Sequence, residues 1–241
     1  MEQELDRTRA GDAMAERVDA RFFSTLARET RFFIARHGQS VGNAKGVIQG
    51  LTDYPLDEAG REQAAALGAW LRDRGIVACA ASPLSRARET AEIAAEAADL
   101  PPPGFDPVFR ELDTGAFSDL SMEEIRARFP AEHAAFERLS WEGVPGAERV
   151  AGLAARARLA WARLRDLANS SGGNVLCVSH GGFIQWLVRV TFGLEDSWMP
   201  LVPTGNCGVF ELLAAPLGDG AYVQWHRINH LPTQPKSPAL F

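Results

Sequence analysis

The chain has 241 residues, a formal net charge of −6 and 46% hydrophobic residues, which fits one domain, or one core with an appendage. An acidic balance argues against a surface that coats nucleic acid, because such surfaces are basic. Three well-separated cysteines (Cys79, Cys177 and Cys207) without CxxC spacing argue against a disulfide framework and fit a reduced, cytoplasmic protein.

Residues 1–28 form a charged stretch with no apolar signal core, and no run in the chain reaches membrane-spanning length. Met14, Val18, Phe22 and Leu26 recur at four-residue spacing, which predicts a helical extension over 1–28 ahead of a domain over 29–241. The stripe serves either to pack this helix on its own domain or as a homodimer contact. An apolar run, Phe32-Phe33-Ile34-Ala35, then meets Arg36-His37-Gly38. That pattern predicts a buried strand delivering polar groups to its C-terminal end, where ligands sit in open α/β sheets. A glycine-punctuated loop runs from Gly38 to Pro55, and Asp57 caps a helix that ends at Gly75.

Ile76–Ala81 is a second apolar strand, and Ser82-Pro83 opens a helix running to about Ala98. Phe105 to Leu112 is extended and carries Glu111. Ser121-Met122-Glu123-Glu124 forms a capping box, Pro130 interrupts the helix that follows, and a long helix runs from Ala147 to Ala168. Asn174–Ser179 is a third buried strand, ending at His180-Gly181-Gly182 before a helix over 183–192. Gly208–Leu213 and Ala221–Ile228 read as a hairpin at a sheet edge. This alternation predicts a three-layer α/β/α fold with a mainly parallel central sheet.

In a parallel sheet the three polar strand ends lie together. His37, His180, Arg36 and Arg86 then converge near two positive helix ends, an anion site with an embedded nucleophile or base. Glycines 38, 181 and 182 would let an anion approach backbone N–H groups. Cation here is almost all arginine, Lys45 and Lys236 being the only lysines; compositional bias is the simpler explanation, but arginine also suits bidentate phosphate recognition.

Arg36-His37-Gly38 with Ser40 and Asn43 resembles the R-H-G-x-S-x-x-N signature of the histidine phosphatase superfamily, in its phosphoglycerate-mutase-like branch. The same order of motifs continues with Gln49-Gly50, Leu56 to Gly60, Ser82 to Thr90, Arg110 to Gly115, Pro145 to Glu148, Ser179 to Gly182 and Asn229 to Leu231. The resemblance spans residues 31 to 231 and implies a phosphoglycerate-mutase-like fold. It implies that His37 is a nucleophile forming a phosphohistidine, that Arg36, Arg86 and His180 clamp the phosphoryl oxygens, and that Asn43 is a neutral donor. Ser40, Gln49, Gly50 and Gly181 would complete the phosphate-binding set. Glu111 would be the general acid, with Asp113, two residues on, the rival carboxylate. The expected activity is a metal-independent phosphomonoesterase acting on a small-molecule phosphate ester, with no cofactor; the alternatives are mutase-type phosphoryl transfer and a non-catalytic phosphate-binding module. Phe117, Met122, Phe129, Phe136 and Trp141 read as core more than as a substrate platform. Trp198 and Met199 either line the mouth or are buried.

Overall fold

The computed structural model describes residues 16–195 and 200–233. Three strands carry the layout: β1 (Thr30–Arg36), β3 (Ile76–Ala81) and β6 (Asn174–Ser179). With β4 (Gly104–Phe105), β7 (Val209–Leu217) and β8 (Gly220–His230) they form a six-stranded sheet in the order β4-β3-β6-β1-β7-β8. The first four are parallel; β7 and β8 form the predicted antiparallel hairpin at the edge. β2 (Val47–Ile48) and β5 (Leu120–Ser121) pair as a separate short ladder.

Alternation along the strands feeds two cores, because successive side chains point to opposite faces. Phe32, Ile34, Val175 and Cys177 enter one; Phe33, Ala35, Leu176 and Val178 enter the other. The first is covered by α7 (Val150–Ser171) and α8 (Gly181–Thr191). The second is covered by α3 (Glu58–Leu71) and α4 (Ser85–Ala98). Trp161 of α7 meets Phe23 and Phe32 edge-on, each at 5.5 Å, and donates its indole N–H to the Leu187 carbonyl of α8 at 2.9 Å. Each such ring pair is worth about 0.5–1.5 kcal/mol beyond its buried area.

Several element ends differ from expectation. Residues 16–28 are helical only at α1 (Ala20–Phe23), capped by the Asp19 carboxylate. Val18, Phe22 and Leu26 join the main core, so the described part of the stripe packs on its own domain; Met14 lies outside the described residues. Helix α3 ends at Leu71 rather than Gly75, because Arg72 turns extended at ψ 143°. Helix α4 begins at Ser85 rather than Pro83: its capping carboxylate is Asp53, which accepts the Ser85 N–H at 2.7 Å from outside the local sequence. Residues 105–112 are not continuously extended, since Pro107–Phe109 form a 3-10 turn. Helix α7 begins at Val150 because Ala147 bridges to Thr114 instead. The capping box at Ser121 and Glu124 opens α5 (Met122–Arg128), and Pro130 starts α6 (Pro130–Leu139).

Gly38 and Gly60 pack back to back. A Cβ at Gly38 would sit 2.4 Å from the Gly60 carbonyl oxygen, and one at Gly60 would sit 2.0 Å from that of Gln39. Neither backbone can yield without shifting the loop after β1. Gly60→Ala is expected to cost about 1–3 kcal/mol, as overpacking does, measured as the loss of unfolding free energy in urea. Wild-type stability in this variant would refute the contact.

Candidate active site

The parallel register sets Arg36 beside Ser179 and Ala81 beside Val178, so the ends of β1, β3 and β6 meet as expected. Residues Arg36, His37, Asn43, Gln49, Gly50, Arg86, Glu111 and Gly182 line one cleft of about 220 Å³, with Val47, Ile48, Leu112, Thr114 and Trp141. Residues from five of the sequence motifs therefore share one space.

His37 is 2% exposed and held on several sides. Its N–H donates to the Ser179 carbonyl at 3.0 Å, and its own carbonyl accepts from Cys207 N–H and Asn206 Nδ2. Its Nδ1 lies 2.7 Å from the Gly38 carbonyl oxygen. A carbonyl only accepts, so Nδ1 carries the hydrogen and Nε2 keeps a lone pair. Burial, then the Arg36 and Arg86 guanidiniums, hold this imidazole well below its ordinary value of 6.5. His37 is therefore neutral at pH 7, as a nitrogen nucleophile must be.

The arginines are fixed by carbonyls. Arg36 Nη1 donates to Thr204 at 2.6 Å; Arg86 donates through Nη1 to Thr52 and through Nη2 to Gly50, both at 2.8 Å. Burial lowers both guanidiniums from their ordinary value, and the Glu111 carboxylate opposes it; arginine still keeps its charge in proteins. The Nε atoms of Arg36 and Arg86 are buried with no partner among the described residues. Buried donors are rarely left so, and an anion would satisfy them. Arg88 instead stacks on Phe105 at 4.6 Å.

Glu111 lies across the start of α8. Its Oε1 accepts the N–H groups of Leu112 at 2.9 Å and Phe183 at 2.8 Å, and its Oε2 accepts that of Gly182 at 3.1 Å. Helix N-termini favour a carboxylate in this position. Asp113 turns away: its Oδ1 accepts the Gly115 N–H at 2.9 Å, and it is not among the residues lining the cleft.

Two amides present donors. Asn43 Oδ1 accepts from Ser40 N–H and Asn206 Nδ2, and Gln49 Oε1 accepts from Ser40 Oγ, leaving the NH₂ groups of both for the cleft they line. These orientations are assigned from the hydrogen-bond network. Ser40 itself is fully buried and caps α2 (Val41–Ala44) through Asn43 N–H. It shapes the site from behind rather than lining it.

His180 is fully buried and does not line the cleft. Its ring lies 5.1 Å from that of His37, its Nε2 shares a 2.7 Å hydrogen bond with Ser82 Oγ, and its Nδ1 has no partner among the described residues. Burial, then Arg86, His37 and Arg36, hold it too well below 6.5.

The glycines play a different part from the one expected. A Cβ at Gly182 would meet Leu112 Cδ2 at 2.6 Å and Glu111 Oε1 at 2.7 Å; one at Gly181 would meet Thr204 Oγ1 at 3.0 Å and Arg36 Nε at 3.2 Å. Their lack of a Cβ makes room for the chain's own side chains, and Gly182 lines the cleft as well. Gly50, at φ +51° and with Thr114 Oγ1 2.2 Å from any added Cβ, aims its carbonyl at Arg86. Thr204 and Asn206 are site-positioning residues that the motifs do not contain; their one signal is a polar loop placed directly before β7. Trp198 and Met199 lie outside the described residues. Among the described residues no group of three or more His, Cys, Asp or Glu could hold a metal, and no helix is long and apolar enough to cross a membrane.

Two neutral buried imidazoles make stability depend on pH. Both are depressed in the folded state, so between that value and 6.5 the unfolded chain binds protons that the folded chain does not. Stability is expected to be full above pH 6.5 and to fall on acidification, by up to about 1.4 kcal/mol per pH unit for each ring. Urea midpoints at pH 7.5 and 5.5 measure this, and His180→Gln should flatten the difference. Equal midpoints in the wild type would sink the assignment.

The sheet and the cleft together define an α/β/α protein with a neutral histidine among buried guanidiniums. A profile of the histidine phosphatase superfamily (branch 1) matches residues 32–225, and the chain belongs to that family. It is 32% identical to 2-carboxy-D-arabinitol-1-phosphatase of Triticum aestivum over 217 residues, 88% of this chain and 43% of the wheat protein. It therefore spans less than half the length of that relative. A probable phosphoglycerate mutase (GpmB) of Erwinia tasmaniensis is 33% identical over 73% of this chain and 81% of its own length. Among solved structures, a mycobacterial glucosyl-3-phosphoglycerate phosphatase complexed with VO3 superposes with a TM-score of 0.72 at 29% identity, covering 84% of this chain and 99% of that one.

Proposed function

We propose that the chain is a phosphomonoesterase that passes the phosphoryl group of a small phosphorylated metabolite to His37 Nε2 and then to water. The observation that carries this is the Nδ1 contact with the Gly38 carbonyl, which leaves the Nε2 lone pair in a cleft lined by Arg36, Arg86 and Glu111. Nε2 attacks phosphorus, the P–O bond to the leaving oxygen breaks, and that oxygen takes a proton from Glu111. Water then attacks the phosphohistidine; the P–N bond breaks, Glu111 takes the water's proton, and inorganic phosphate leaves. Arg36, Arg86 and the amides of Asn43 and Gln49 stabilise the charge on the equatorial oxygens. With Ser82 Oγ–H donating to Nε2 of His180, the His180 Nδ1 carries the hydrogen and remains a buried donor beside the His37 ring. Positive charge and donors are thus supplied by side chains, and the mechanism calls for no metal.

The test is rapid mixing with a phosphate ester labelled on phosphorus, followed by quenching in alkali. A base-stable, acid-labile label on the protein, turning over to inorganic phosphate, is expected. Label that never forms would overturn the covalent route. Return of the label to a second hydroxyl of a phosphoglycerate instead of to water would favour the mutase reading, which the likeness to GpmB supports.

A further inference from the structure

The cleft has two chemically distinct halves. Five of its charged and donor groups (Arg36, Arg86, His37, Asn43 and Gln49) come from the end of β1, the loop after it and the first turn of α4. A dianionic phosphoryl group would occupy them. The other wall is Val47 and Ile48 of the β2–β5 ladder, with Leu112 and Trp141. Leu112 and Trp141 are 2% and 8% exposed, and Trp141 is braced by Phe136 at 5.0 Å and Phe117 at 6.5 Å between ring centroids. Ile48 packs on the same cluster, while Val47 is half-buried outside it. The wall is therefore stiff as well as apolar. Among the described lining residues, the titratable group left for the leaving-group side is Glu111, the proposed proton donor, and no cation stands there.

We infer that the site selects phosphate esters whose leaving group is uncharged and partly apolar, and discriminates against leaving groups that carry a carboxylate. This rests on the phosphomonoesterase reading above. A carboxylate placed against Val47, Ile48 and Trp141 would be desolvated without a partner. The relatives point the other way: their names specify carboxyarabinitol phosphate, glucosyl-phosphoglycerate and phosphoglycerate, all carboxylated esters. Those names describe the relatives' substrates; the wall of this chain's own cleft carries the inference.

Phenyl phosphate and 4-carboxyphenyl phosphate separate the two cases, because the para carboxylate lies far from phosphorus and alters intrinsic reactivity little. The expected kcat/KM ratio is at least tenfold in favour of phenyl phosphate, carried mainly by KM. Val47→Arg, which sets a cation in the wall, should narrow the ratio threefold or more while phenyl phosphate turnover reports that the variant is folded. A ratio near one in the wild type, with phenyl phosphate turned over, overturns this inference and leaves the phosphomonoesterase reading intact. A ratio that Val47→Arg does not move overturns the assignment of the preference to this wall. Turnover of neither ester overturns both readings together.

Discussion

His37→Ala is expected to lower phosphate-ester turnover by roughly 10⁴-fold or more, the scale on which removing a nucleophile acts, and to abolish the alkali-stable label. The variant should remain folded, because the imidazole it removes sits neutral and desolvated between two guanidiniums. Added imidazole should restore part of the activity by entering the space and attacking phosphorus in its place. His37→Asn provides a companion: its side-chain amide can still donate to the Gly38 carbonyl, yet it offers no nucleophilic ring nitrogen. Turnover within tenfold of wild type in either variant would remove His37 from the reaction coordinate. A folded, inactive His37→Ala with no imidazole rescue and an unaltered label would place the covalent link elsewhere.

Glu111→Gln carries the second large effect, and its size should depend on the ester. An alkyl leaving oxygen needs a proton as it departs, so loss of the donor is expected to cost about 10² to 10⁴ in kcat. A 4-nitrophenyl leaving group needs little protonation and should lose far less in the first step. Glutamine also turns an NH₂ toward one of the N–H groups that the carboxylate now accepts, from Gly182 or from Phe183. That cost is common to both esters, so the difference between them reports the proton transfer. Equal losses would reassign Glu111 to holding the start of α8.

Much of this architecture is legible in the residues because local signals and tertiary demands agree. Apolar runs ending in Arg-His-Gly, Ser-Pro-Leu and Ser-His-Gly mark β1, β3 and β6, since strands buried on both faces need unbroken apolar runs. Asp57, Ser121 and Glu124 cap the helices that follow them through short-range hydrogen bonds. Some of the failures come from a partner distant in sequence and others from a local turn. The cap of α4 comes from Asp53, 32 residues before Ser85, so Ser82 beside Pro83 was free to bond His180 instead. Asp113 is a carboxylate like Glu111 but one methylene shorter, and the folded turn commits it to Gly115, outside the cleft. The glycines of the motifs look like anion cradles until the Cβ clashes with Gly60, Glu111 and Leu112 are measured. Thr204 and Asn206 have no motif at all, because what they hold are backbone and side-chain atoms of a segment made much earlier.

That separation also sets an order of assembly. Asn206 holds the His37 carbonyl across 169 residues of chain, and β7 lies directly against β1. At a synthesis rate of about 5–20 residues per second, β1 leaves the ribosome on the order of 10–30 s before its edge neighbour exists. Contacts this distant in sequence carry a loop-closure cost before they return any stabilisation, which slows folding. His37 is thus made well before the residues that hold its carbonyl in place. A nascent chain that has not yet reached the β7–β8 hairpin would carry the Arg-His-Gly stretch without its Thr204 and Asn206 supports.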